Sequence, residues 1–283
     1  MKLLSFVKDG KLHTGVLRDN GTVVDLSVLG CPAHMNDIIA GWDSLKDRVA
    51  AALGDESLPT LDLMSLHYAN VTEPQKIICV GLNYKSHAAE TGMAPPRDIV
   101  FFSKFNDALA PAGASVTLPQ WLKCFDYEAE LVLVIGKQAW NISEDAALDY
   151  VFGYTCGNDL SARDSQFLSS QWLAGKAFPG FAPAGPVITT ADSFDPDGDN
   201  GIYCDVNGVR RQSGTTSDMI FKCRAIVSAA SRYFQLTPGD LIFTGTPAGV
   251  LLGKPEASRV WLKPGDTVSV TIDGLGTLTT KLI

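Results

Sequence analysis

Three carboxylates alternate along the segment CFDYEAELVLVIGK at residues 124–137: Asp126, Glu128 and Glu130. Successive side chains of a β-strand point to opposite faces, so residues two apart share a face and the three acids converge. Burying like charges together is costly unless a positive charge offsets their repulsion. The spacing therefore predicts a divalent cation site, and the simpler alternative is a solvated strand edge, because acidic residues are mostly exposed.

A further acid, Asp159, ends the mostly apolar segment YVFGYTCGND at residues 150–159 and is another candidate ligand. The chain contains no Cys-x-x-Cys pair and no His-Glu-x-x-His motif, which argues against zinc. Oxygen ligands alone favour a hard ion, namely Mg²⁺, Mn²⁺ or Ca²⁺. Three carboxylates would leave coordination positions open for water and a substrate.

His87 and Glu90 lie three residues apart in GLNYKSHAAETG, residues 81–92. On one helical turn this spacing places the side chains next to each other, so that the carboxylate orients and polarises the imidazole as a general base. The pair precedes the loop TGMAPPRD, and loops bounded by glycine and proline are where mobile lids occur. A purely structural histidine is the alternative.

A basic and polar set follows in SARDSQ and WLAGKAF, comprising Arg163, Gln166 and Lys176. Lys176 is predicted to point its charge at an oxyanion that develops near the metal. The alternatives are an Arg163 ion pair with Asp164 or Glu128 and a Lys176 side chain that is simply exposed.

The glycine-rich segment FTGTPAGV, residues 243–250, carries Thr244 and Thr246. Its hydroxyl and backbone donors are predicted to bind a substrate carboxylate, and a plain tight loop is the alternative. The segment lacks the lysine and the spacing of a P-loop, which disfavours nucleotide binding.

The elements that must position these residues are mostly strands, because short β-rich segments alternate with proline and glycine turns from residue 76 onward. The sequence predicts a mixed α+β, β-dominated fold. Helices are predicted over 36–53, with Asn36 as N-cap and Gly54 as the stop, and near 143–151 and 216–236. Asp9-Gly10 and Asn20-Gly21 predict hairpins, and the proline–glycine pairs at 238–239 and 264–265 predict type II turns.

Composition narrows the class of protein further. The chain has 283 residues, 46% of them hydrophobic, and a polar link at 71–75 divides a small N-terminal domain, 1–70, from a larger one, 71–283. A formal charge of −8 argues against nucleic-acid and anionic-membrane partners. Six scattered cysteines and the lack of a long apolar stretch indicate a soluble cytoplasmic protein with reduced thiols.

Seven motifs in order resemble the fumarylacetoacetate hydrolase superfamily, over about residues 74–283: GLNYKSHAAE, DYEAELVLVIGK, GYTCGNDLSARDSQ, QWLAGKAF, VNGVRRQSGTTSDMIF, LTPGDLIFTGTPAGV and LKPGDTVSVTIDGLG. The resemblance implies a mixed β-roll catalytic domain, a homodimer, and Mg²⁺ or Mn²⁺ held by Glu128, Glu130 and Asp159. It also implies that His87 and Glu90 activate water from a lid, and that Arg163, Gln166, Lys176 and Thr246 contact a 2-oxo acid.

Two positions depart from a simple transfer of the family pattern. Asp126 matches an often acidic position that is not usually a ligand, so it is left out of the metal set. Pro179 stands where many relatives carry an aspartate, which changes the loop behind Lys176.

These residues predict hydrolysis of a C–C bond in a 2,4-dioxo acid, such as an acylpyruvate, fumarylpyruvate or a 2,4-dioxo-3-deoxy sugar acid. A divalent ion on the 2-oxo acid would stabilise the departing pyruvate enolate. The alternatives are an oxaloacetate decarboxylase or 2-hydroxy-diene-dioate isomerase acting at the same site, and a non-catalytic ligand-binding module.

Overall fold

Nineteen strands and six short α-helices form the protein in a computed structural model that describes residues 1–283. The strands are β1 (Lys2–Lys8), β2 (Lys11–Leu17), β3 (Thr22–Asp25), β4 (Thr60–Asp62), β5 (His67–Tyr68), β6 (Ile77–Gly81), β7 (Val100–Lys104), β8 (Leu109–Ala110), β9 (Ser115–Val116), β10 (Phe125–Asp126), β11 (Ala129–Ile135), β12 (Val151–Asn158), β13 (Ser161–Ala162), β14 (Ala182–Thr190), β15 (Gly201–Val206), β16 (Val209–Thr215), β17 (Leu241–Phe243), β18 (Thr267–Ile272) and β19 (Gly276–Leu282). The helices are α1 (Met35–Ala40), α2 (Trp42–Gly54), α3 (Lys85–Thr91), α4 (Arg163–Gln166), α5 (Leu173–Lys176) and α6 (Cys223–Tyr233). The predicted β-dominated α+β fold is confirmed.

One large sheet runs through the molecule in the order β4-β3-β2-β1-β14-β12-β11-β17-β6-β7, with β5 paired to β1 and β8 to β14. Its central strands β11 and β12 are buried along their whole length, which explains their almost continuous apolar sequences. They pair antiparallel, with Ala129 opposite Asn158. This register brings the start of β11 beside the end of β12, where the acidic residues lie.

A second sheet, of order β16-β15-β18-β19-β9, packs on the large one. Buried and partly exposed residues alternate along β18, as expected for a strand with one face on the core. Val268 and Val270 of β18 belong to the same buried cluster as Leu131 and Leu133 of β11. The second sheet therefore supports the strand that carries the acids. A two-stranded pair of β10 and β13 lies apart from both sheets.

The first strands of the chain join the same large sheet. β1 pairs antiparallel with β14, with Lys2 opposite Thr189 and Leu3 opposite Ile188. Leu3 also belongs to one buried cluster with Val132 and Phe243 of the central strands. The division of the chain near residue 70 stays a prediction.

The predicted turns form as expected. Asp9 and Gly10 both have positive φ, 51° and 71°, which the tight β1–β2 hairpin requires. At Thr237–Asp240 the amide of Asp240 donates to the carbonyl of Thr237, and Gly239 has a φ of 88°, as a type II turn requires.

The helix predictions need three corrections. The helix predicted at 36–53 is broken at Gly41 into α1 and α2, and Asn36 lies inside α1, where its amide bonds the backbone of Glu73 instead of capping. The helix predicted near 143–151 is only a 3-10 turn, Ala147–Tyr150, because Val151 already begins β12, whose β-branched and aromatic residues pair on both sides. The helix predicted near 216–236 is limited to α6, after a separate 3-10 turn at Thr216–Asp218.

Candidate active site

The carboxylates of Glu128, Glu130 and Asp159 meet at one end of the central strands. Glu130 is in β11, Glu128 directly precedes that strand, and Asp159 directly follows β12. One oxygen from each lies within 4.8 Å of the others, and all three residues are buried, which excludes the solvated strand edge. The structure thus brings together the three residues that the resemblance assigned to a metal.

Asp126 does not share a strand with these acids, so that expectation was wrong. β10 ends at Asp126 and β11 begins only at Ala129, so residues 127–128 separate Asp126 from the strand that carries Glu130. Its buried carboxylate accepts hydrogen bonds from the amides of Leu251 and Leu252 and from the Arg163 guanidinium, whose Nε and Nη2 lie 3.0 and 2.9 Å from Oδ2. Asp126 therefore orients Arg163.

Two cations hold Glu128. Lys176 Nζ lies 2.6 Å from Glu128 Oε2 and 2.7 Å from Asp159 Oδ2, and Arg163 Nη2 lies 2.6 Å from Glu128 Oε1. Burial opposes ionisation of Glu128, but the charges of Lys176 and Arg163 outweigh it and hold its pKa far below the usual range. Lys176 is buried, which excludes a simply exposed lysine.

Glu130 has the opposite environment. Its side chain accepts a single hydrogen bond, from the amide of Gly245 to Oε2 at 2.8 Å. Burial and the neighbouring charges of Asp159 and Glu128 raise its pKa well above the ordinary value. An added cation at this point would stabilise the ionised form.

Asp159 Oδ1 is a second indication that a cation fits. Lys104 Nζ lies 2.6 Å away, but Lys104 donates its hydrogen bonds to the carbonyls of Leu160, Lys176 and Phe181. Asp159 Oδ1 is buried and accepts no hydrogen bond. Three buried carboxylates, of which Glu130 pairs with no cation and Asp159 keeps one oxygen free of hydrogen bonds, fit a hard divalent ion.

His87 and Glu90 form the predicted pair on α3. His87 Nδ1 lies 2.8 Å from Glu90 Oε1, and Glu90 Oε2 accepts from the amide of Gly249 at 2.8 Å. A proton on Nδ1, donated to Glu90, leaves Nε2 as the proton acceptor of the imidazole. The amide of Ser86 donates to Asp218 Oδ2, which fixes the start of this helix.

Asn83, which the sequence reasoning missed, holds the segment just before the N-terminus of α3. Asn83 is fully buried, donates to the carbonyl of Thr244 at 2.8 Å and accepts from the amide of Phe221 at 2.8 Å. Leu82 before it has a φ of 53°, an uncommon conformation for a branched residue. Both residues lie in the motif GLNY at 81–84, but the motif alone does not reveal these long-range hydrogen bonds.

The remaining predicted residues form two separate sets of polar contacts. Arg163 Nη1 donates to Gln166 Oε1 at 2.8 Å, and Gln212 Nε2 donates to Thr246 Oγ1 at 2.8 Å. Gln212, also missed, accepts from the amide of Ala129 and so joins Thr246 to the start of β11. The Thr244 hydroxyl instead donates to the carbonyl of Leu131, which makes its role structural.

Pro179 occupies the second position of a turn from Phe178 to Phe181. The Phe181 amide donates to the carbonyl of Phe178, and Gly180 has a φ of 80°, as in a type II turn. The carbonyl of Phe181 then accepts a hydrogen bond from Lys104. The departure at Pro179 is thus accommodated by a well-formed turn behind Lys176.

A cavity of about 210 Å³ joins most of the predicted residues; it is lined by His87, Glu128, Glu130, Arg163, Gln166, Lys176 and Thr246, among others. A larger cavity of about 790 Å³ beside β6 and β7 contains none of the predicted residues. The carboxylate cluster therefore identifies the smaller cavity as the candidate active site.

The fold and the site define an enzyme built on a β-dominated α+β scaffold, with acidic, basic and imidazole groups around one buried cavity. Residues 76–283 match the family model described as fumarylacetoacetate (FAA) hydrolase, C-terminal, and the chain belongs to this family.

Proteins similar to this chain support its assignment to the family. A mitochondrial oxaloacetate tautomerase of Xenopus laevis is 37% identical over 273 residues, 94% of this chain and 84% of that protein. A fumarylacetoacetate hydrolase from Exiguobacterium antarcticum superposes with a TM-score of 0.88 at 33% identity, covering 100% and 99% of the two chains. Maleylpyruvate hydrolase from Sphingobium sp. SYK-6, solved with manganese(II) and pyruvate, has a TM-score of 0.83 at 29% identity, covering 100% and 99%.

Two further observations concern the whole chain. None of its helices combines the length and the apolar character that a membrane crossing needs. The six cysteines are unpaired, and five of them are buried.

Proposed function

We propose that this protein is a divalent-metal-dependent hydrolase that cleaves the C3–C4 bond of a 2,4-dioxo acid and releases pyruvate. Glu128, Glu130 and Asp159 would hold Mg²⁺ or Mn²⁺. The observation that carries the proposal is the His87–Glu90 pair, because an oriented imidazole facing the same cavity as the carboxylates is what activation of water requires. The pyruvate and manganese bound to the maleylpyruvate hydrolase support this choice of substrate and ion.

The residues of this chain have separate roles in such a reaction. When bound, the ion would supply Lewis acidity to the 2-oxo end of the substrate. His87 Nε2 takes a proton from water, and the resulting hydroxide attacks C4. The C3–C4 bond breaks with its electron pair left on the pyruvate fragment, which then takes up a proton. Lys176 stabilises the negative charge on that fragment, and Arg163, Gln166 and Thr246 orient it.

A second candidate is tautomerisation or decarboxylation of oxaloacetate, or isomerisation of a 2-hydroxy-diene-dioate, at the same site. The tautomerase relative, aligned over 94% of this chain, favours it. These reactions also develop negative charge at the 2-oxo end, but they need no attacking water. The role of His87 therefore separates the candidates.

His87→Ala should lose hydrolysis of a 2,4-dioxo acid by roughly 10²–10⁴-fold, the usual contribution of a general base, and lose much less decarboxylation of oxaloacetate. Steady-state rates on both substrates, with His67→Ala as the exposed control, measure the difference. Equal losses on both substrates would argue against activation of water by His87.

Glu128→Ala and Glu130→Ala should each abolish activity, because the remaining carboxylates bind the ion poorly. Rates after chelator treatment and after return of Mn²⁺ test this. Full activity of both variants in chelator-treated buffer would overturn the metal assignment. A cytoplasmic homodimer belongs to the same proposal, and size-exclusion chromatography with light scattering tests the oligomeric state.

A further inference from the structure

The lining of the candidate cavity combines two chemically different sets of side chains. One set is the carboxylates and their cations, and the other comprises six apolar side chains, called the apolar wall below: Leu82, Met93, Val100, Phe167, Trp172 and Leu252. These residues come from distant segments of the chain, namely the end of β6, the loop after α3, β7, the α4–α5 connection and the loop after β17. Independent segments thus converge on one apolar surface.

Trp172 fixes the position of this wall. A Cβ at residue 81 would lie 2.4 Å from the Trp172 ring, so only glycine there lets the indole approach the backbone. The ring also packs edge-on to Phe102, with centroids 5.6 Å apart and an interplanar angle of 71°. The wall is therefore preformed and rigid on this side.

The cations of the cavity are already engaged. Arg163 is held by Asp126 and Glu128, and Lys176 by Glu128 and Asp159. His87 pairs with Glu90. The residues of the apolar wall carry no charge, and Lys176, whose Nζ lies 5.1 Å from the Phe102 ring centroid, is already paired with two carboxylates, so a carboxylate placed against the wall would lose hydration without gaining a free cation.

The formal charge of the buried cluster also favours a ligand with a single negative charge. With Glu130 ionised, as a bound cation would make it, four carboxylates face three cations, which leaves one negative charge: Asp126, Glu128, Glu130 and Asp159 against Lys104, Arg163 and Lys176. A divalent ion would reverse this to one positive charge. A monoanionic 2-oxo acid then neutralises the site, whereas a dianion leaves it negative again.

The rim of the cavity is apolar as well. Met93, Val100 and Phe167 remain 48%, 38% and 49% exposed, although such side chains are usually more buried. The cavity, about 210 Å³, is also smaller than the roughly 300–1,000 Å³ of most ligand sites. Both features suit a short apolar group.

We infer that the substrate is a monoanion, whose chain beyond C4 ends in a short uncharged alkyl or aryl group, and that the apolar wall rejects a terminal carboxylate. This inference rests on the proposed function for one point only, the placement of the 2-oxo acid end at the carboxylates.

Calorimetric binding to the Mn²⁺-loaded protein tests the inference without turnover. 5-Methyl-2-oxohexanoate and 2-oxoglutarate are matched probes, because an isopropyl group replaces a carboxylate of similar shape. The apolar acid should bind roughly ten- to a hundredfold more tightly, in line with the cost of burying an unpaired polar group. Equal binding, tighter binding of 2-oxoglutarate, or no binding of either acid would overturn the inference.

Met93→Arg should reverse the preference, since it places a cation on the wall. Met64→Arg is the control, because Met64 is 89% exposed and does not line the cavity, so it changes the net charge equally and should keep the wild-type preference. The same shift in both variants would refute the role of the wall. If the binding preference holds but no 2,4-dioxo acid is hydrolysed, the proposed function fails and the inference stands.

Discussion

Lys104 is the residue whose replacement best tests the architecture of the site. Its side chain is fully buried, and its ammonium group lies 2.6 Å from Asp159 Oδ1. It donates to the carbonyls of Leu160, Lys176 and Phe181. Lys104→Met keeps the length of the side chain but removes the charge and all three donors.

The magnitude follows from what the substitution would leave behind. Removing one partner of a buried ion pair typically costs about 3–5 kcal/mol, because the other charge stays buried and unpaired. Each stranded carbonyl would add about 1–3 kcal/mol if nothing relaxed, but relaxation and water entry reduce that sum. We expect a loss of about 3–5 kcal/mol in the free energy of unfolding. For a chain of this size this corresponds to a fall in Tm of roughly 6–20 °C.

Urea denaturation followed by circular dichroism measures this loss. Chelator-treated buffer is used so that metal binding does not contribute to stability. Lys46→Met is the matched control, because Lys46 is exposed and forms no ion pair, and it should change stability by less than about 0.5 kcal/mol. If Lys104→Met folds normally and loses less than about 1 kcal/mol, Lys104 does not hold Asp159 and Lys176 in place.

Two other predictions concern Glu130 and Asp240. The raised pKa of Glu130 means that the metal-free folded protein keeps a proton that the unfolded chain has lost, so this contribution to stability is present at acid pH and falls as the pH rises through the folded pKa. Mn²⁺ must displace that proton, so calorimetry of Mn²⁺ binding in buffers of different ionisation enthalpy should show proton release. Glu130→Gln should abolish this release, and unchanged release in the variant would contradict the assignment. Asp240 is fully buried and accepts from the amides of Gln75, Lys76 and Thr237, so Asp240→Asn should cost about 2–4 kcal/mol in stability with kcat unchanged. A large fall in kcat at full stability would contradict this.

Local spacing predicted much of the site. His87 and Glu90 are three residues apart, and one turn of helix suffices to join them. Glu128 and Glu130 are two apart at the start of a strand, and Asp159 follows the next strand, which pairs with it. In each case the neighbour in sequence, or in the adjacent strand, is also the neighbour in space.

The other contributors depend on distant partners, which a single sequence does not show. Lys104 stands in FFSKF, which resembles a partly exposed strand, and its carbonyl partners lie 56, 72 and 77 residues later. Gln212 reaches Ala129 across 83 residues. Asp126 was expected on the strand of the other acids because nothing local revealed the break between β10 and β11 at residues 127–128. Tertiary contacts decided these positions.

The joining of β1 to β14 has a practical consequence for any fragment of this protein. The residues that match the family, 76–283, leave out the first five strands, so a protein cut to that range would leave Ile188 and Thr189 of β14 without their partners in β1. A bare, mostly apolar strand edge is a template for pairing with other chains. Such a truncated protein should aggregate, and the N-terminal strands act as a built-in cover for that edge.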